Sequence, residues 1–98
     1  MNHPLSKYQD QINQIAKANN INYLALFGST ARGDGNKDSD VDLLVNFNKR
    51  LSLLDLVQVE RHFSTTFNRP VDLIPQDSLS KYVKPYVVND LITLYDQR

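Results

Sequence analysis

Ile21-Asn22-Tyr23-Leu24-Ala25-Leu26-Phe27 runs into Gly28-Ser29, and ten residues later Asp40-Val41-Asp42 opens a second apolar run ending at Phe47. Both runs are short, rich in strand formers and bounded by turn residues, so each reads as a β-strand. Side chains two apart on a strand share a face. Asp40 and Asp42 therefore project together, with Leu44 beyond them, while Val41, Leu43 and Val45 turn the other way into a core. Two carboxylates held close repel unless a cation sits between them. Mg²⁺ takes oxygen ligands, commonly one or two carboxylates plus substrate phosphates. A glycine at the end of the first strand lets backbone N–H groups approach an anion, and the Ser29 hydroxyl and a following helical turn add donors. A phosphate nest and a carboxylate pair thus fall within one short span.

A third acid extends the set. Asp72 lies inside the apolar run Val71-Asp72-Leu73-Ile74, where a carboxylate is costly unless paired or bound to a cation. If the strands holding Asp42 and Asp72 pair, all three acids gather, and two metals bridged by such carboxylates clamp the attacking and leaving oxygens of a phosphoryl displacement. Arg32, one helical turn past Ser29, would reach a triphosphate with its bidentate fork. Plainer readings stay open for each residue. Asp40 would cap a turn, Asp42 would be a solvated edge residue, Asp72 would pair with Arg69, and Arg32 would be a surface arginine.

Outward from this span the chain alternates helical and extended patterns. Ser6-Lys7-Tyr8-Gln9 reads as a capping box, with Tyr8, Ile12, Ile15 and Ala16 at helical spacing behind it. Asn19-Asn20 supplies a stop, since Asn tolerates the left-handed conformation. Ser52 followed by Asp55 reads as a second cap, and Leu53, Leu56, Val57, Glu60, Phe63 and Phe67 then follow helical spacing. Asn68-Arg69-Pro70 breaks that helix, and Val71 to Ile74 forms a third strand stopped by Pro75. Tyr86, Val87, Leu91, Leu94 and Tyr95 return to helical period and predict a last helix. The expected fold class is α+β (α/β): a small mixed sheet of about three or more strands flanked by helices, one domain over residues 1–98.

Composition bounds the function. With 41% hydrophobic and 22% charged residues, the chain has globular rather than disordered character. Net charge is zero, which gives no long-range pull toward a nucleic-acid backbone. Cysteine is absent, so disulfides, thiolate metal sites and cysteine nucleophiles are excluded. No apolar stretch approaches the roughly 18 residues of a membrane span and no signal region opens the chain, so a cytoplasmic location is expected. Asp34, Asn36 and Asp38 begin like a calcium loop, but Ser39 and Val45 stand where Gly and Glu are required. His3 and His62 are too far apart for a zinc motif, and no P-loop signature occurs.

Phe27-Gly28-Ser29-Thr30-Ala31-Arg32-Gly33-Asp34 with Ser39-Asp40-Val41-Asp42-Leu43-Leu44-Val45, and Asp72 in a later strand, resembles the nucleotidyltransferase fold of the DNA polymerase beta superfamily. More narrowly it resembles the minimal nucleotidyltransferases, the MntA-type antitoxins. The resemblance implies a protein adenylyltransferase that moves AMP from ATP to a tyrosine hydroxyl of a partner HEPN-domain ribonuclease toxin, releasing pyrophosphate, in a type VII toxin–antitoxin pair. It implies that Asp40 and Asp42 hold two Mg²⁺ ions and that Asp72 completes the metal site and helps deprotonate the acceptor. Gly28 and Ser29, with Arg32, would bind the triphosphate. The Arg-to-His spacing of a HEPN ribonuclease is absent, so the chain is not itself the toxin. Its shortness leaves little surface to select a small-molecule acceptor, and a hetero-oligomer with the toxin is expected. Two alternatives remain: an idle antitoxin that neutralises by covering its partner, and an enzyme modifying a small hydroxyl compound.

Overall fold

The computed structural model describes residues 5–28, 40–76 and 91–98. A 3-10 turn, Ser6–Tyr8, leads into helix α1, Gln9–Ala18; then come β1, Ile21–Phe27, and β2, Val41–Phe47. Helix α2, Leu53–Phe67, is followed by β3, Val71–Pro75, and β4, Ile92–Asp96. The four strands lie in the order β3-β2-β1-β4. β1 runs antiparallel to both β2 and β4, while β2 and β3 are parallel. A parallel pair needs a crossover rather than a tight turn, and α2 provides it.

Both helices lie on one face of the sheet. Ile12, Ile15 and Ala16 of α1, and Val59, Phe63 and Phe67 of α2, are buried at i, i+3, i+4 and i, i+4, i+8 spacing, which places each set on one stripe. They meet Leu24, Leu26, Val41, Leu43, Val45, Val71, Leu73 and Leu94 in one core cluster. Tyr8 and Phe67 close its rim with ring centroids 5.2 Å apart. The other face carries a smaller cluster of Tyr23, Ala25 and Leu44, with Phe27 and Leu91 against it. No helix among the described residues is long and apolar enough to cross a membrane.

Helix ends follow from local chemistry. The Ser52 hydroxyl accepts the Asp55 N–H at 3.1 Å, one of the first-turn donors that otherwise lack a partner. Asn20 and Asn68 both take the left-handed conformation, with φ of 62° and 55°, and Pro70 then forbids continuation of α2. At the N-terminus the structure corrects the expectation. Ser6 sits in the 3-10 turn, and Tyr8 caps α1 with no side-chain hydrogen bond. The Gln9 amide, which a capping box would use, instead donates to the Leu94 carbonyl at 2.8 Å and to Asn13 at 2.9 Å.

The expected last helix is also corrected. Ile92–Asp96 is a strand, while Tyr86 and Val87 lie outside the described residues. The β1–β4 register shifts between Leu24 and Ala25, and such an irregularity breaks period-two alternation. Consecutive Leu94 and Tyr95 are therefore both buried in the helix-covered core. That spacing mimics a helical stripe in the sequence.

Candidate active site

Three strand ends meet at one rim of the sheet. Because β1 and β2 are antiparallel, the close of β1 lies beside the opening of β2, and Phe27 is the partner of Asp42. Because β2 and β3 are parallel and in register, Asp42 is the partner of Asp72. Neighbouring strands lie about 4.8 Å apart and paired residues point to the same face, so these two carboxylates stand side by side. Val41 and Leu43, with Val71 and Leu73 across from them, are buried on the helix-covered face. Asp42 and Asp72 consequently occupy the opposite face, Asp42 half-buried and Asp72 exposed. Asp40, exposed, immediately precedes β2.

Gly28 belongs to the same corner. Its φ is +79°, and a Cβ built there would run into the Asp42 carboxylate. Only glycine meets both conditions without strain or displacement. The end of β1 thus presses bare backbone against an acid at the start of β2, a contact the sequence reading, which reserved Gly28 for a phosphate, did not contain. Ser29 and Arg32 lie outside the described residues. Among the described residues no ion pair joins Asp72 to Arg69; the pair that forms is Arg98 with Asp96 at 3.0 Å.

Among the described residues the donor set at this rim is carboxylate oxygen, which suits a hard divalent cation such as Mg²⁺ rather than a soft or imidazole-seeking metal. Among the described residues no three acidic, imidazole or thiol side chains close into a cage around an ion. The expected gathering of Asp40, Asp42 and Asp72 into one ligand group is thus not seen; what the strands bring together is the pair Asp42 and Asp72, and that pair fits an ion that takes one or two carboxylates plus substrate phosphates. A groove of about 650 Å³ lies elsewhere, lined by residues 45–53 with Leu56, Pro75 and Gln76, at the far end of β2. It contains none of the three acids.

Sequence reasoning missed two residues that bear on this rim. Glu60 accepts the Leu73 N–H at 3.0 Å, and the Ser64 hydroxyl accepts the Val71 N–H at 3.1 Å. These bonds flank Asp72. The available signal was an acid, Glu60, standing within the otherwise apolar stripe of α2.

Residues 10–98 match the family Polymerase beta, Nucleotidyltransferase. The chain belongs to that family and is a nucleotidyltransferase. A relative from Methanocaldococcus jannaschii, named as a candidate protein adenylyltransferase, is 35% identical over 89 residues, covering 90% of this chain and 88% of its own. Protein adenylyltransferase MntA of Thermococcus cleftensis is 32% identical over 72 residues, covering 74% of this chain and 73% of its own. Among solved structures, the complex of tri-AMPylated Shewanella oneidensis HEPN toxin with MNT antitoxin superposes with a TM-score of 0.72 at 19% identity. The match covers 93% of this chain and 71% of that one. At that identity the likeness is one of fold.

Proposed function

We propose that this nucleotidyltransferase is the antitoxin of a HEPN/MNT pair and transfers AMP from ATP to a tyrosine hydroxyl of its partner HEPN toxin. The observation that carries the reading is the in-register pairing of Asp42 with Asp72 beside the bare backbone of Gly28. Support for the acceptor class comes from the relative named protein adenylyltransferase and from the fold shared with an MNT antitoxin in complex with an AMPylated HEPN toxin.

Asp40, Asp42 and Asp72 would hold Mg²⁺, which, when bound, neutralises charge on the triphosphate and on the leaving oxygen. Gly28 and Ser29 would offer backbone and hydroxyl donors to the phosphates, with Arg32 as a charged fork. Asp72, exposed on the open face, would take the proton from the tyrosine Oη. That oxygen then bonds to the α-phosphorus, the bond from the α-phosphorus to the α–β bridging oxygen breaks, and pyrophosphate leaves with the electron pair. Geometry of this kind converts a bimolecular reaction into an effectively unimolecular one.

The test is to incubate the purified chain with ATP, Mg²⁺ and its cognate HEPN partner and weigh the partner by intact-protein mass spectrometry. The expected result is a gain in whole AMP units, lost with Asp42→Asn or Asp72→Asn and lost on chelation. A partner whose mass never changes refutes the reading. A double Asp40→Ala, Asp42→Ala variant that still neutralises the toxin mole for mole, with the partner unmodified, shows that covering alone suffices.

A further inference from the structure

We propose that Glu60 and Ser64 are positioning residues for Asp72, holding its carboxylate in register with Asp42; this rests on the metal and nucleotide reading of the rim given above. Among the described residues β3 is at the edge of the sheet, and β2 is the one strand that holds it laterally through the backbone. A strand slipped by one residue turns every side chain to the opposite face, which would carry Asp72 into the helix-covered core. What opposes that slip is carried by α2. Glu60 and Ser64 are four apart on a helix and share a face, rising about 6 Å. Leu73 and Val71 are two apart on a strand and span about 6.6 Å. The two spacings match, and the helix runs against the strand, so the residue earlier on α2 meets the residue later on β3. Glu60 accepts from Leu73 N–H and Ser64 Oγ from Val71 N–H. The amides on both sides of Asp72 are thereby tied to a helix that is itself fixed by buried Val59, Phe63 and Phe67.

Ser64 adds a second tie. Its carbonyl accepts the Asn68 and Arg69 N–H groups, setting the turn that delivers Pro70, whose carbonyl in turn accepts the Val41 N–H at 2.8 Å. One helical residue thus links the start of β3 to the start of β2, where Asp40 and Asp42 reside. Supporting bonds behind a metal ligand tune affinity by about 10- to 100-fold in known metal sites, and ligand placement to about 0.5 Å matters.

The test titrates Mn²⁺ into the whole protein with a non-hydrolysable ATP analogue present and reads bound ion by electron paramagnetic resonance, with thermal unfolding recorded for each variant. Glu60→Ala is expected to raise the Mn²⁺ dissociation constant about tenfold, while Glu60→Gln, which keeps an oxygen acceptor, returns it to the wild-type value. In an Asp72→Asn background Glu60→Ala should add nothing, because the two changes act through one group. A Glu60→Ala variant that melts earlier but binds Mn²⁺ like wild type overturns the proposal. Should Glu60→Ala not fold, Ser64→Ala carries the same expectation and the same refutation. Wild type that binds no Mn²⁺ with the analogue overturns the metal reading and this inference together, which separates that failure from the first.

Discussion

Replacing Gly28 with alanine tests the corner from which the site is built. Two separate costs are expected. Left-handed backbone disfavours any L-residue by about 1–2 kcal/mol, and Gly28 has φ of +79°. The new methyl also meets the Asp42 carboxylate. That carboxylate is the far end of a side chain and can rotate, so its displacement costs about 0.5–1.5 kcal/mol more. Gly28→Ala should therefore cost about 1.5–3.5 kcal/mol in the wild-type background, against about 1–2 kcal/mol when Asp42 is already alanine. For a domain of this size each kcal/mol lowers Tm by about 4–8 °C, so thermal unfolding of the four proteins in the cycle resolves the difference. Typical stabilities of about 5–15 kcal/mol leave the single variant folded at 25 °C, and loss of the proposed AMP transfer would then report a disturbed corner, Gly28 backbone and Asp42 together, rather than unfolding. Equal costs in the two backgrounds would refute the contact, and a cost under about 0.5 kcal/mol beside Asp42→Ala would refute the left-handed backbone.

Three other outcomes are expected. Phe63→Ala empties the centre of the helix-covered core, where Phe63 has no exposed surface, and should cost about 3–5 kcal/mol by denaturant unfolding. Ser52→Ala removes the α2 cap and should cost about 1 kcal/mol, with Asp restoring it. The Asp96 carboxyl is held below its ordinary range by the hydrogen bonds of the Arg98 side chain and backbone, so its contribution is complete above the ordinary Asp value and fades as pH falls through the lowered one. NMR titration should show the Asp96 midpoint rise in Arg98→Gln.

Much of the rim was legible because its logic is period two. Val41, Leu43 and Val45 announce a buried face, and that alone puts Asp42 on the other, while Asp40 falls just outside the strand. Asp72 stood out as an acid among hydrophobes, but the burial cost expected there does not arise, since it lies exposed on the open face; Asn68 with Pro70 marked the turn that precedes it. The pairing of β2 with β3 was not, since nothing local states which strands become neighbours. β4 was misread because its register shift buries Leu94 and Tyr95 in succession. The first cap was misread because Gln9 is engaged by a carbonyl 85 residues away, a partner that no local motif can announce. Glu60 was counted within a helical stripe of hydrophobes; its real task, reaching a strand amide, depends on tertiary contact.

The bonds from Glu60 and Ser64 have a consequence for how this small protein meets other chains. Outward-facing amides on an edge strand invite another chain to pair with them, in recognition and in aggregation alike. On β3 the amides of Val71 and Leu73 are already engaged by helix side chains, and on β4 the Leu94 carbonyl is engaged by Gln9. A strand seeking to extend the sheet at β3 would have to displace Glu60 and Ser64 from these two amides first.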